Sequence, residues 1–307
     1  MSPFDTSAYG VYQVDTLGGV SYKDDPIGVA VSDSKVEWFW ACFFSDEWGP
    51  RETAYVWPLA DEHVPPQRAS ASGGARAFGM CFFAPGAELP LGISSMLAIP
   101  HVLWDTHHVP TDRGMWLHAG DEWLQVTMDD EGAWLDAPAY AVKPIDAPHG
   151  LAEALGAEPV SVHSSANGLW LVELASEAAL RALEPDGSAG PLAERYISDV
   201  LTDGRGCPTD RHWGVIATAP SDGGHDYCAR FFAPQVEVAE DHMGGIAQCC
   251  LGPFWARRLT KGDLVGEMVS LHKSVVRLRV RQDDPGRVHL RIPASIDSHI
   301  LVAGLFF

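Results

Sequence analysis

Glu240, Asp241 and His242 stand together just ahead of Gly244-Gly245-Ile246, and carboxylates beside an imidazole are the side chains that move protons near neutral pH. The loop that carries them belongs to a repeat. Phe82-Phe83-Ala84-Pro85-Gly86-Ala87-Glu88-Leu89 recurs about 150 residues later as Phe231-Phe232-Ala233-Pro234-Gln235-Val236-Glu237-Val238. Each copy runs on to a Gly-Ile pair, Gly92-Ile93 or Gly245-Ile246, and a proline, Pro100 or Pro253, follows eight residues after each of those glycines. Between the FFAP proline and the Gly-Ile pair the second copy is four residues longer, and its ionisable groups lie in that longer loop. Sites concentrate on loops held by rigid elements. The same loop also reads as a solvated turn, with Asp241 as a helix N-cap and His242 as a surface histidine.

Repeated strand, turn and buried helix imply two similar halves with a cleft between them as the natural place for chemistry. Strands are expected in the β-branched or alternating runs Val11–Val14, Thr53–Trp57, Trp123–Val126, Trp170–Leu174, Val275–Val280 and Val288–Ile292. Helices are expected over Gly92–Trp104, Ser176–Leu183, Leu192–Leu201 and Gly245–Leu259, the first and last apolar nearly all round. The proline-rich stretch Ala137–Pro148 divides the chain into a half from 1 to 145 and a half from 146 to 307.

At 307 residues each half is long enough to bury its own core. A formal net charge of −20 argues against nucleic acid or anionic membrane as a partner, since both are held through phosphate neutralisation. Neither a basic-then-apolar leader nor a membrane-length apolar run is present, so the cytoplasm is expected. The six cysteines form no CxxC pair and read as reduced core thiols. The histidines have no metal-ligand spacing, and the glycines no phosphate-loop pattern, so neither a metal nor a nucleotide cofactor is expected.

Taken together, the motifs resemble the PhzF-like proteins of the diaminopimelate-epimerase fold. Val14-Asp15 and Asp25-Pro26-Ile27-Gly28-Val29 stand where that family has VDxF and GNPxAV, and Arg51-Glu52-Thr53-Ala54-Tyr55-Val56 where it has SETAFV. Ala229-Arg230-Phe231-Phe232-Ala233-Pro234, Glu240-Asp241 and Leu251-Gly252-Pro253-Phe254-Trp255 follow its most specific segment. The resemblance implies an α+β protein of two pseudo-symmetric epimerase-like lobes, each a sheet or barrel wrapped around a central helix. It implies a homodimer acting without a cofactor on a small-molecule carboxylate. On strand position alone Glu52 reads as a solvated edge residue beside Arg51; by resemblance it is the catalytic acid–base group, which a closed apolar cleft suits to both roles. Asp241 would assist by hydrogen bonding or proton relay. Backbone N–H groups around Gly92, Ile93 and Ser94, and around Gly244, Gly245 and Ile246, would hold the substrate carboxylate or a developing enolate.

The chain also departs from the family. Ser94 occupies the place of a histidine, Ile246 that of a serine, and neither helix start carries the thiol that two-cysteine racemases require. His242, where the family has proline, is a candidate replacement imidazole. The expected function is therefore a proton or double-bond shift in a small unsaturated carboxylate, cyclic amino and imino acids included, within antibiotic or other secondary-metabolite biosynthesis. A repurposed cyclase with a larger substrate and a noncatalytic binding protein are the alternatives.

Overall fold

Two helices that are apolar on nearly every side must be kept from water, and strand pairing decides where they go. The computed structural model describes residues 10–14, 27–48, 52–60, 75–84, 87–89, 92–183, 212–233, 240–241, 244–270 and 273–291. Among them the chain forms two compact units, one running to Ala137 and joined by Arg291, the other Pro138–Leu290. The fold is α+β.

The first unit contains β1 (Gly10–Val14), β2 (Ile27–Val31), α1 (Trp38–Trp48), β3 (Glu52–Pro58), β4 (Arg76–Ala84) and β5 (Ala87–Leu89). It continues through α2 (Ile93–Asp105), β6 (Met115–Ala119), β7 (Glu122–Asp129) and β8 (Gly132–Pro138). Its strand order is β1-β2-β3-β4-β6-β7-β8, with β5 on β4. The β2/β3 and β4/β6 pairs are parallel and the rest antiparallel. A parallel pair cannot be closed by a hairpin, so α2 is the crossover between β4 and β6. Met96, Ile99, Val102 and Leu103 on α2 are fully buried, and the helix packs on β2 and β3. On the opposite side of the sheet α1 closes a second core of Val11, Ala30, Val36, Ala41, Tyr55 and Phe83.

The second unit contains β9 (Val142–Ile145), α3 (Leu151–Leu155), β10 (Ser161–Ser165), β11 (Leu169–Glu173), α4 (Glu177–Arg181), β12 (Gly214–Pro220) and β13 (Tyr227–Phe232). After these come α5 (Gly245–Leu259), β14 (Asp263–Met268), β15 (Ser274–Val280) and β16 (Arg287–Arg291). The order β10-β11-β12-β13-β14-β15-β16 repeats the first unit pair by pair: β11/β12 and β13/β14 are parallel, the others antiparallel, and α5 makes the crossover. On α5 the run Ala247–Trp255 is buried, as its all-round apolar composition requires. Pro253 has no N–H to offer the carbonyl four residues back, and that carbonyl, of Cys249, instead accepts from the Tyr140 N–H at 2.8 Å. β9 pairs with β10, and the Ala139 N–H donates to the Gly286 carbonyl, so the proline-rich stretch is built into this unit.

Four of the six expected strands lie within observed ones; Trp170–Leu174 runs one residue past β11, and the last residue of Val288–Ile292 lies outside the described residues, while α2 and α5 fall where their glycine entries put them. Leu192–Leu201 lies outside the described residues. The sequence reading leaves out α1, whose outward residues are aromatic and so give no polar face to reveal helical periodicity. Among the described residues no helix is long and apolar enough to cross a membrane. Five cysteines there are free thiols; Cys228, Cys249 and Cys250 are buried, while Cys42 and Cys81 are half-buried.

At the entry to α4, Glu177 accepts from the Asp222 N–H at 2.8 Å, from Ser221 Oγ at 3.0 Å and from Arg181 Nε at 2.7 Å. The Asp222 N–H, then the Arg181 guanidinium, hold its carboxyl down to about 2. A carboxylate depressed on folding stabilises the fold above its ordinary value of 4.5, and that contribution is lost as pH falls from there to about 2. Glu177→Gln should therefore melt below wild type at pH 7, with the gap closing between pH 4.5 and about 2. Thermal melts of both proteins across that range measure the gap directly.

Candidate active site

Glu52 opens β3, in register with Ile27 on β2, and its side chain shares a sheet face with Ala54 and Val56. That face is the one α2 covers. The carboxylate lies across the entry of the helix. A Cβ on Gly92, the residue before α2, would sit 2.0 Å from Glu52 Oε1 and 2.7 Å from Phe82 Cδ1. With φ −106° the Gly92 backbone is one that any residue adopts, so space and not conformation demands glycine here. Oε1 is shielded from solvent, and Phe82, 1% exposed, supplies an apolar wall. A helix start presents backbone N–H groups without partners in the helix, an environment that favours negative charge. A buried carboxylate is thus placed beside the start of α2.

The register identifies what stands at the same place in the second unit. Thr53 pairs with Phe83 and Val215 with Phe232, so Glu52 corresponds to Gly214. A Cβ at Gly214 would meet Phe231 Cε2 and the Phe232 carbonyl oxygen at 2.9 Å and Leu169 Cδ2 at 3.0 Å. The duplicated position holds a carboxylate in one unit and has no room for a side chain in the other. Sequence reasoning missed this relation, although the aligned Phe-Phe pairs contain it.

In the second unit Glu240 and Asp241 are tied down. Arg230 grips Glu240 through two bonds of 2.7 Å, donates its third contact to the Leu183 carbonyl, and lies over the Phe232 ring. Asp241 is buried. Its N–H donates to the Phe231 carbonyl at 2.8 Å, and its Oδ1 accepts from the Gly244 N–H at 3.1 Å, closing the turn ahead of α5, whose N-cap position is Gly244 itself. Gly244 has φ +59°, so its conformation favours glycine, and a Cβ there, 2.7 Å from Met268 Cε, would also make that side chain shift. One turn further, Tyr227 donates to Gln248 Oε1 at 2.5 Å and Gln248 Nε2 donates to Met268 Sδ at 3.2 Å. Tyr227 stacks on Trp255, and burial raises its phenol well above its usual range. Burial likewise raises the Cys249 thiol, and pushes that of Cys250 up to about 12, which leaves both protonated and poor nucleophiles.

Glu52 and Gly92 are thus brought together, as are Asp241 and Gly244, and Glu240 and Arg230. Ile93 and Ser94 begin α2, Gly245 and Ile246 begin α5, and Ile246 is half-buried. His242 lies outside the described residues. Arg230 appears in the sequence only as part of a motif; its place in an otherwise apolar strand is the signal that it has a buried partner. Among the described residues no group of three or more His, Cys, Asp and Glu is placed to hold a metal ion.

The geometry is that of a carboxylate at a helix entry, on a strand–helix–strand unit that occurs twice. Residues 26–277 match the PhzC-PhzF model, described as phenazine biosynthesis-like protein, and the chain belongs to that family. It is similar to an uncharacterized isomerase of Halalkalibacterium halodurans, 26% identical over 89% of this chain and 91% of that protein. An uncharacterized isomerase of Pseudomonas aeruginosa is 33% identical over 69% of this chain and 74% of its own length. Among solved structures, a PhzF-family protein of Enterococcus faecalis superposes with a TM-score of 0.75 at 22% identity, covering 95% of this chain and 97% of that one. A hydroxyproline epimerase of Agrobacterium vitis shares the fold more distantly, with a TM-score of 0.58 at 12% identity over 97% and 93% of the two chains. The protein is an isomerase.

Gly92→Ala should cost about 1–3 kcal/mol of stability, because the new methyl displaces Glu52 or Phe82. Combining it with Glu52→Ala should recover part of that loss, a coupling of about 0.5 kcal/mol or more in urea unfolding. Asp241→Ala should cost about 1 kcal/mol, and Asp241→Asn only a small part of it, since the amide oxygen still accepts from the Gly244 N–H.

Proposed function

We propose that this protein is a cofactor-independent isomerase in which Glu52 shifts a proton between two carbons of a small unsaturated carboxylate. The observation that carries the reading is the Glu52 carboxylate lying where a side chain on Gly92 would be, at the start of α2. Glu52 takes a proton from a carbon activated by the substrate's carboxylate, the electron pair moves through the adjacent double bond, and the resulting carboxylic acid returns the proton to the far carbon. No group is gained or lost. Backbone N–H groups of Gly92, Ile93 and Ser94 at the start of α2 bind the substrate carboxylate and the charge that develops during the shift; at the start of α5 Gly245 and Ile246 are the candidates for the same role, the Gly244 N–H being taken by Asp241. Asp241, by accepting from the Gly244 N–H, positions the start of α5; His242 is the candidate imidazole in place of the one absent at Ser94.

The replacement of histidine by Ser94 and of serine by Ile246 favours a specialised substrate, and cyclic amino or imino acids of secondary-metabolite and antibiotic biosynthesis are the proposed class. The reading takes the units as duplicated epimerase-like lobes and the working protein as a cytoplasmic homodimer.

The test is proton NMR in D2O with a panel of cyclic unsaturated amino and imino carboxylates. Wild type should introduce deuterium at a carbon or move a vinyl signal, and Glu52→Gln should slow this by about 10²–10⁴-fold. Binding without exchange by wild type would sink the proposal in favour of a cyclase or a binding protein.

A further inference from the structure

Asn167 is the only asparagine in the chain. It stands in the turn between β10 and β11, ahead of Gly168 with its φ of +81°. Asparagine before glycine suits a hairpin, and aspartate suits it as well. Trp213 holds the turn from outside, its N–H donating to the Gly168 carbonyl at 2.9 Å and its Nε1 to the Asn167 carbonyl at 2.8 Å. Leu169 and Gly214, which open β11 and β12, pair in register, and Val215 pairs with Phe232 at the close of β13. Asp241 bonds back to Phe231 just ahead of α5. Asn167 therefore shares one end of the second unit with the start of α5.

One end of its amide is occupied. Asn167 Oδ1 accepts from Ser165 Oγ and, at 3.7 Å, from Cys250 Sγ. Cys250 belongs to the second turn of α5, and helical side chains lean back toward the helix start. Burial keeps its thiol protonated, so it has a hydrogen to give, which sets the amide oxygen against it. Ser165 Oγ in turn accepts from the Leu169 N–H at 3.0 Å. The amide nitrogen, on the other branch of the same carbon, is turned away from both. Nδ2 is shielded from solvent, and among the described residues nothing accepts from it. A buried donor left open is costly, and the turn does not require this one, because an aspartate would accept the same two bonds.

We propose that Asn167 Nδ2 is a substrate-binding donor, which with the Gly245 and Ile246 N–H groups holds a carboxylate oxygen of the substrate at the start of α5. The inference rests on the functional reading of that helix start. Asp241 takes the Gly244 N–H, so Gly244 is not among the donors. Gly245 and Ile246 begin a helix of 15 residues, where N–H groups lack acceptors within the helix and the dipole favours negative charge. Donors alone are offered here. A carboxylate answers them with lone pairs on both oxygens, whereas an amine or the nitrogen of a carboxamide would set donor against donor.

Asparagine labelled with 15N in its side-chain amide gives a single NH2 pair, because the chain has one asparagine. When wild type is titrated with the panel of cyclic unsaturated amino and imino carboxylates, a bound member should move that pair downfield. Asn167→Asp keeps an oxygen for Ser165 and Cys250 but loses the donor. It should remain folded by circular dichroism, while Kd for the carboxylate that wild type binds most tightly rises about 30-fold or more. For the corresponding carboxamide, whose N–H groups can meet the new oxygen, it should bind no worse than wild type. An equal loss for the carboxamide marks a merely structural effect and overturns the inference. So does wild-type affinity in a folded Asn167→Asp. A bound carboxylate that leaves the NH2 pair unmoved overturns it even if that variant fails to fold. Deuterium exchange that persists in wild type and is lost in Glu52→Gln keeps the catalytic reading through any of these results. A wild type that binds none of the carboxylates overturns both together.

Discussion

The close approach of the Glu52 carboxylate to Gly92 depends on a constraint that runs through each unit: a helix apolar on nearly all sides must link two parallel strands. Parallel pairing forces the crossover, and the apolar circumference forces its burial. In the first unit the start of α2 is thereby fixed against the end of β4 and the start of β3. A side chain at the first position of β3 is then delivered to the helix entry by strand alternation alone. Glu52 needs no special backbone to arrive there; it needs only that residue 92 give up its side chain.

The same constraint acts in the second unit with a different outcome. Identical pairing places Gly214 at the corresponding point, where the Phe-Phe pair and Leu169 leave no space. Glu240 and Asp241 are fixed there by the Arg230–Glu240 pair and by the bond from the Gly244 N–H to Asp241. Duplication therefore supplies the frame twice, while the carboxylate at this position occurs once. Departures from symmetry, more than the symmetric core, carry the information about function.

Much of this was legible in the sequence for identifiable reasons. Strands with β-branched alternation and two apolar helices opened by glycine follow local rules, and tertiary packing did not override them. Glu52 is different, since a glutamate after an arginine at a strand start looks solvated, and only the motif around it raised its standing. The reason for Gly92 is a contact between residues far apart in sequence, which no local rule encodes. Asp241 had two readings, relay or N-cap; the N-cap of α5 is instead Gly244, and Asp241 bonds the N–H of that residue from the turn before it. Helix α1 was illegible because the periodicity argument looks for a polar outer face, and here that face is aromatic.

Pro253 gives the boundary of the second unit a physical meaning. By withholding an N–H it releases the Cys249 carbonyl in the middle of α5, and Tyr140 occupies it, while Ala139 bonds to Gly286. A segment that looks like a spacer, rich in proline and lying between repeats, is in effect a suture through the helix core. Any fragment meant to represent the second unit must therefore begin ahead of Ala139. Trimmed later, it would expose a buried carbonyl in α5 with nothing to accept from.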